Sequence, residues 1–281
     1  MKNLAVAVIA TCLYATAAGA AVVTPTNTDG WMPSNVRPGG SVAITDTYKP
    51  AGQQGSLEFN TVSSASKADY VKYWGVVDGR TLGNLSTLSF DFLRDSSSTT
   101  NQHFAPALRL IYEDSDGETG YLIWENIYNG GSTSTPVATD TFQSNDILAE
   151  NFWMRAISGG GRTIEDFDVT LAQWADGYTS GTSHQLSADT LITGIEVGVG
   201  SGWGGTFSGA VDNVAIGFSR VSYRSPVPMA AIDGTDLITA DFEPDAIAAV
   251  PESSTWAMMI GGFGLIGGAL RRRPQATVRV A

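Results

Sequence analysis

Asp212 is the acidic residue whose position in the sequence indicates the most chemistry. It lies in an apolar stretch and shares the parity of Val214 and Ile216, so a strand here would turn its carboxylate toward the core. An unpaired buried carboxylate is expensive, and it needs an arginine, backbone donors or a cation. Two interpretations stay open: the carboxylate binds Ca²⁺, which prefers oxygen ligands, or it caps a turn or pairs with Arg109 or Arg37.

A second acidic group lies at Asp114, Asp116 and Glu118, between two apolar runs. Its spacing resembles a calcium-binding loop, but that motif needs a third acidic position before its glycine. Here Gly117 follows Asp116 directly. The Asp-Gly step instead suits a tight turn that needs a positive φ. We expect a solvated hairpin tip.

Trp203 is the first candidate for ligand binding. It lies in the glycine-rich stretch 200–205, where an indole could stack on the face of a sugar ring. The alternative is that it folds back over the end of the domain. Tyr128 and Asn129, at the start of a Gly/Ser/Thr loop, are a second and weaker candidate pair.

Few residues in the sequence suggest catalysis. The two histidines, His103 and His184, lie in polar segments, and no Gly-x-Ser-x-Gly motif occurs. Asp91, Glu113 and Glu125 could serve a glycosidase, although acids that alternate along strands usually form a solvent face. We expect a protein that is not an enzyme.

Charge excludes whole classes of partner. Of the 16 basic residues, Lys2 and four arginines near the C-terminus lie in the terminal segments, whereas all 28 acids lie between them. Eleven basic residues against 28 acids give this intervening part a formal charge of −17. Such a surface repels nucleic acid and anionic lipid. The single cysteine lies near the N-terminus, so no disulfide framework is available.

These chemical groups must be positioned by β-strands, because period-two alternation is frequent and helical periodicity is nearly absent. We predict an all-β fold, a jelly-roll β-sandwich over residues 29–224, with a lead-in at 21–28. One short amphipathic helix is predicted at 163–174, capped by Thr163. Residues 225–249 read as a linker that holds one extra strand at 237–242.

The order of strands, one late helix and two motifs resembles the laminin B-like jelly roll, a group similar to galactose-binding-like modules. The motifs are Thr193-Gly194-Ile195-Glu196-Val197-Gly198 and Val211-Asp212-Asn213-Val214. The resemblance covers residues 29–218 and lacks the Cys-rich repeats that flank the laminin domain. It implies an extracellular adhesive or glycan-binding sandwich. It also implies a structural Ca²⁺ bound by Asp212, with Asp29 or Asp46 as partners.

Both termini indicate export. Residues 1–20 combine Lys2, an apolar stretch and the small residues Ala18 and Ala20, which is the pattern of a cleaved signal peptide. Near the C-terminus a Pro-Glu pair precedes the apolar run 256–270, and a triplet of arginines follows it. That run is a short transmembrane helix in this interpretation, and the arginines keep the tail 274–281 cytoplasmic.

The segment 250–273 resembles the PEP-CTERM sorting signal of Gram-negative bacteria. The motif residues are Val250, Pro251, Glu252, Ser253, Ser254, Thr255 and Trp256, and the closing arginines are Arg271, Arg272 and Arg273. Ser253 stands where the family usually has a second proline. The resemblance implies processing by an exosortase-type enzyme at the inner membrane, followed by attachment to the cell envelope or release, often with exopolysaccharide.

The sequence therefore predicts an exported matrix or adhesion component that binds glycan or exopolysaccharide weakly. Two alternatives remain: a purely structural surface protein with protein partners, and a glycan hydrolase.

Overall fold

A computed structural model of the protein describes residues 20–132, 135–158, 166–178, 184–223 and 230–245. Of the predicted signal peptide only Ala20 falls within the described residues, and the predicted sorting signal, membrane segment and C-terminal tail lie outside them. All described residues except Asp245 belong to one compact unit that ends at Pro244. No helix within the described ranges is long and apolar enough to cross a membrane.

The described chain is built almost entirely from strands, with short 3₁₀ turns at Leu82–Asn84 and Asn126–Tyr128. In chain order the elements are β1 (Val22–Val23), β2 (Trp31–Ser34), β3 (Gly40–Thr45), β4 (Ser56–Thr61), β5 (Lys67–Tyr73), β6 (Leu85–Arg94), β7 (Ala107–Glu113), β8 (Thr119–Trp124), β9 (Gln143–Asp146), β10 (Trp153–Ala156), α1 (Leu171–Ala175), β11 (Leu191–Gly200), β12 (Phe207–Tyr223) and β13 (Ala230–Phe242).

These strands form two sheets, which confirms the predicted all-β sandwich with one short helix. The six-stranded sheet has the order β10-β8-β7-β11-β5-β2. The seven-stranded sheet has the path β1-β13-β12-β4-β3, and β6 joins it through β12 and carries β9 at its edge. All pairings except that of β1 with β13 are antiparallel among these strands.

The core lies between the sheets and is rich in aromatic rings. Trp31 and Phe242 meet edge to face with ring centroids 5.4 Å apart, and Tyr70 stacks beside Trp31. Phe90 contacts Trp124 across the sandwich at 5.2 Å. Burial of large apolar side chains of this kind, at about 25 cal/mol for each Å² removed from water, is the main source of stability in a sandwich.

The helix is shorter than predicted and begins later. Thr170 caps α1: its hydroxyl accepts the Gln173 amide, and the Gln173 side chain accepts the Thr170 amide. The preceding residues are held extended, because the Phe152 amide donates to the Val169 carbonyl and Thr170 forms a bridge with Asn151. The helix α1 therefore begins at Leu171, and the predicted start at Thr163 lies outside the described residues.

The predicted lead-in at 21–28 and the predicted linker at 225–249 also contribute strands. Strand β13 pairs antiparallel with β12, and β1 lies parallel to β13. Phe242 and Ala240 are fully buried in the core. The strand predicted at 237–242 therefore lies within the longer β13.

Candidate functional site

The outer face of the six-stranded sheet carries charged side chains where a solvent face or an apolar contact would be expected. Ile195, Val197 and Val199 of β11 point into the core, so Gly194, Glu196 and Gly198 lie on the opposite face. The register places Glu196 between Arg109 on β7 and Val71 on β5, and Gly198 beside Asp69. We call Lys67, Asp69, Arg109, Glu196 and Glu125 the charged face.

Ion pairs link the charged face across three strands. The Arg109 guanidinium donates through one nitrogen to Asp69 Oδ1 at 2.9 Å and to Glu196 Oε1 at 2.8 Å. The second Asp69 oxygen accepts from Lys67 Nζ. All four side chains are nearly buried. Cations and anions alternate along this chain of contacts, so neighbouring charges offset one another.

Gly198 makes this network possible. A Cβ at that position would collide with the Asp69 carboxylate and lie against the Ala68 carbonyl. Because the strand has no side chain there, Asp69 can lean over β11 and reach Arg109 on the next strand. The alternation of Gly194, Glu196 and Gly198 thus forms a trough in which one carboxylate protrudes.

Burial shifts the pKa values of several of these groups. Desolvation lowers the pKa of Lys67 to about 8, with the Arg109 charge acting in the same direction. Desolvation also raises the pKa of Glu125 and of Glu196, and the Arg109 charge offsets part of it. For Arg109, burial would lower the pKa, but Asp69 and Glu196 outweigh it and raise the pKa. Perturbed groups of this kind cluster at functional sites.

A pocket of about 140 Å³ opens over the charged face. Its rim includes Trp153 and Tyr121, which are both half-buried. The Trp153 indole N–H donates to Glu125 Oε2 at 3.0 Å, which fixes the orientation of the ring. The remaining lining residues are Asn35, Lys67, Arg109, Ile123, Glu125, Arg155, Glu196, Gly200, Ser201 and Trp203.

Trp203 is placed at the edge of this pocket but is not an open platform. It is 6% exposed and stacks on Phe104 with centroids 4.8 Å apart, and Phe207 meets it edge to face at 5.2 Å. Of the two alternatives for Trp203, an indole open for stacking and an indole folded back over the end of the sandwich, the second describes its placement. Packing on two aromatic rings outweighs the freedom of the neighbouring glycines.

Tyr128 and Asn129 do not line the pocket. Tyr128 stacks on Phe167 with centroids 3.8 Å apart. The Asn129 amide nitrogen donates to the backbone carbonyls of Glu125 and Asn151. These residues therefore hold the turn that carries Glu125, which makes them supports of the pocket and not contacts within it.

Asp212 is fully buried, as its parity predicts. Its Oδ1 accepts from the backbone amides of Asn213 and Phe242, both at 2.8 Å, whereas its Oδ2 has no hydrogen-bond partner. Burial raises the pKa of Asp212 to about 8, although the two amides lower it. Backbone donors, and neither Arg37 nor Arg109, are thus its observed partners.

The predicted calcium ligands are not brought together. Asp29 pairs with Lys72 at 2.6 Å, and Asp46 lies 3.8 Å from Lys49. Within the described ranges, the three-residue groups of His, Cys, Asp and Glu with ligand atoms close together do not include Asp212. The reason is that both partners lie at positions where lysines neutralise them.

The three acids considered for hydrolysis are also separated. Asp91 lies on β6 in the seven-stranded sheet, where it accepts from the Asn213 amide at 2.8 Å. Glu113 ends β7 and is not among the pocket residues, whereas Glu125 lines the pocket. Sequence reasoning missed Lys67, Asp69 and Arg109 as site residues; the one signal for them was a lone charge, Glu196, between glycines on an apolar strand.

Comparisons with known proteins yield structures alone: no family model and no curated protein matches the sequence. One similar structure comes from work on carbohydrate-binding modules of the β-sandwich superfamily. It is 14% identical, with a TM-score of 0.32, and the match covers 66% of this chain and 56% of that one. A family 11 carbohydrate-binding module from Clostridium thermocellum, in complex with a β-1,3-1,4-mixed-linked tetrasaccharide, has 16% identity and a TM-score of 0.32, covering 66% and 86%.

An exo-β-agarase structure has 14% identity and a TM-score of 0.33, covering 72% of this chain and 23% of the agarase. The chain thus spans little more than half the length of the first of these proteins. Likenesses at this level carry no information about a ligand.

Proposed function

We propose that the protein binds glycan chains in the pocket above the charged face. The observation that carries the proposal is the nearly buried alternating network of Lys67, Asp69, Arg109 and Glu196 beneath a rim with Trp153 and Tyr121. Sugar hydroxyls both donate and accept, so a floor with carboxylates and a guanidinium offers partners for each. An aromatic ring held at the rim offers an apolar face for the C–H groups of a pyranose.

The cost of the network supports this proposal. Well-packed apolar residues usually stabilise a fold as much as a buried ion pair does or more, so a buried pair is weak evidence for a stabilising role. Four charges on the outer face of a sheet are therefore better explained by a ligand than by stability. The approximate balance of charge at the floor favours a neutral glycan.

Binding of this kind is tested by titration calorimetry with a panel of neutral and acidic polysaccharides, including the exopolysaccharide of the producing cell. Trp153→Ala should weaken binding at least about tenfold, which corresponds to ~1.4 kcal/mol. Trp74→Ala removes a tryptophan that is not among the pocket residues and serves as the matched control. Equal affinity of the Trp153 variant and the wild type would contradict the proposal.

We propose binding without turnover, and one observation favours a test of the alternative. Glu125 lines the pocket with a raised pKa, which is a property of a general acid in glycoside hydrolysis. Release of reducing sugar by the purified protein, abolished in Glu125→Gln, would show that the protein is a hydrolase. Binding with no such release supports a binding protein.

Export and sorting complete the proposal. The signal-peptide pattern and the PEP-CTERM-like segment support transit to the cell envelope through an exosortase-type enzyme and a transient or permanent membrane span. The laminin B-like motifs support a jelly-roll connectivity for the sandwich. Fractionation of cells that produce the wild type and a Pro251→Ala, Glu252→Ala variant tests the sorting. Retention that depends on the C-terminus but not on glycan would favour a purely structural surface protein.

Calcium enters the proposal only through Asp212, whose unpartnered Oδ2 is an acceptor that a cation would satisfy. Stabilisation by Ca²⁺ should appear as a melting temperature that rises with Ca²⁺ and falls with EDTA. The same titration of Asp212→Asn should show no change. A wild-type melting temperature that does not change with EDTA would contradict the proposed binding of calcium.

A further inference from the structure

Three side chains that can ligate metals meet at the tip of the hairpin formed by β7 and β8. They are Asp114 and Glu118, from the turn, and His184, which precedes β11 in the chain. One ligand atom from each lies within 4.8 Å of the others. His184 is fully buried, and Asp114 is nearly so. The expected solvated hairpin tip is therefore a partly enclosed cluster with an imidazole in it.

The spacing of the atoms suits a small cation. His184 Nε2 lies 2.8 Å from the Ser158 carbonyl oxygen and 3.1 Å from Glu118 Oε2. Ligands bound to one metal at 2.0–2.1 Å lie roughly 3.0–3.4 Å apart. Expansion of the two contacts at His184 Nε2, together with approach of the Asp114 carboxylate, whose ligand atom lies within 4.8 Å of those of Glu118 and His184, would admit an ion between one nitrogen and three oxygens.

The acidic ligand is held in place by the turn itself. Asp114 Oδ1 accepts the backbone amides of Asp116 and Glu118 at 3.0 and 2.9 Å. Both bonds use the same oxygen, and the other is left for a different partner. The turn thereby orients the carboxylate, and Gly117 supplies the positive φ, 77°, that the turn requires.

Tyr112 can serve either tautomer of the imidazole. Its hydroxyl lies 2.8 Å from His184 Nδ1. A hydroxyl both donates and accepts. With the proton on Nε2 the tyrosine donates to Nδ1, and with the proton on Nδ1 the tyrosine accepts it and leaves the Nε2 lone pair for a metal.

We propose that Asp114, Glu118, His184 and the Ser158 carbonyl form a site for a divalent transition-metal ion of the zinc class. The imidazole distinguishes this class from Ca²⁺ and Mg²⁺, which select oxygen ligands. The Tyr112 hydroxyl is the outer partner that such a histidine normally has. The ion would tie the β7–β8 hairpin to the end of β10 and the start of β11, and so brace one end of the sheet that carries the charged face.

The test uses the full chain stripped of metal and titrated with Zn²⁺, and with Co²⁺ as a spectroscopic probe. In the wild type Zn²⁺ should raise the melting temperature, and Co²⁺ should give visible d–d bands and one shifted imidazole resonance. Glu118→Gln and His184→Gln should weaken Zn²⁺ binding on the order of 100-fold or more, and Tyr112→Phe, which removes an outer partner, about tenfold.

His103→Gln is the matched control, because it removes the other histidine and should leave binding unchanged. Glu118 is partly exposed, so its variant should fold even where a change at buried His184 does not. Absence of a Zn²⁺ effect in the wild type overturns the proposal. So does Zn²⁺ binding that survives in Glu118→Gln or is lost in His103→Gln, because the ion would then be bound elsewhere. Loss of glycan binding in Trp153→Ala bears on the pocket alone and leaves the metal site unaffected.

Discussion

Asp69 and Asp212 are both inaccessible to solvent, at 1% and 0% exposure, yet their surroundings differ completely. On the outer face of the six-stranded sheet, Lys67 and Arg109 satisfy both oxygens of Asp69. In the seven-stranded sheet, two backbone amides satisfy one oxygen of Asp212, and no group in the described part of the chain donates a hydrogen bond to the other. Charge partners thus make a buried acid part of a polar surface, whereas an acid without them is driven toward its neutral form.

This difference in hydrogen-bond partners decides what each of the two aspartates contributes. Asp69 belongs to an ion-pair network whose other members, Lys67, Arg109 and Glu196, line the pocket, whereas Asp69 itself lies beneath them and is not a lining residue. Asp212 joins β12 to β13 through the Phe242 amide. The same residue type at the same degree of burial therefore supports the proposed binding surface in one sheet and strand pairing in the other.

The largest effect should follow removal of the shared cation. Arg109→Met leaves Asp69 and Glu196 buried without their common partner, which should cost about 3–5 kcal/mol of unfolding free energy. Urea denaturation of the wild type and the variant measures this difference. A cost below about 1 kcal/mol would show that water already screens the network.

The control for that experiment replaces all four charges of the network. The variant Lys67→Met, Asp69→Asn, Arg109→Met, Glu196→Gln retains the approximate shapes without the ions, and it should recover much of the lost stability. It should not recover glycan affinity, because the charged partners of the hydroxyls are gone. Recovery of both properties would mean that the charges have no role in binding.

A smaller effect is expected at Gly198, which gives Asp69 its path to Arg109. Gly198→Ala should destabilise the protein by about 1–3 kcal/mol, because the new methyl group collides with the Asp69 carboxylate. Gly204→Ala is the control, since no atom lies within 4 Å of a Cβ there. Thermal unfolding of both variants gives the comparison, and equal melting temperatures would contradict the account of Gly198.

The sequence predicts much of the fold and little of the site, for a physical reason. Alternation along one strand depends on neighbours in sequence, so the inward direction of Asp212 could be inferred from Val214 and Ile216. The network of Asp69, Arg109 and Glu196 depends on the register of three strands that are far apart in sequence. No local pattern specifies that register. Trp203 failed as a platform for the same reason, because its stacking partner Phe104 belongs to a distant loop.

The helix and the last strand show the same limit. Helical spacing from Ile164 to Trp174 suggested a start at Thr163, but a bridge from Asn151 to Thr170 keeps the chain extended up to the cap. The stretch that holds β13 was predicted as a linker with a strand only at 237–242, whereas β13 extends over Ala230–Phe242. Its place in the sheet is set by pairing with β12 and β1, which are remote contacts.

A pH dependence of stability is expected at Asp212. Its pKa is about 8 in the folded protein, against about 3.9 for an unfolded aspartate, so the folded state binds more protons between these values. The unfolding free energy should therefore fall as pH rises from about 4 to about 8, by at most ~1.4 kcal/mol for each pH unit. Asp212→Asn cannot titrate and should lose this slope.

The comparison is made by urea denaturation in EDTA, as the difference between Asp212→Asn and the wild type at each pH. That difference should grow in favour of the variant across this window and be flat on either side of it. Asp46→Asn, whose side chain is exposed, controls for the loss of one formal charge. A constant difference for Asp212→Asn would mean that the buried carboxylate keeps its charge through a partner, and the contrast with Asp69 would then disappear.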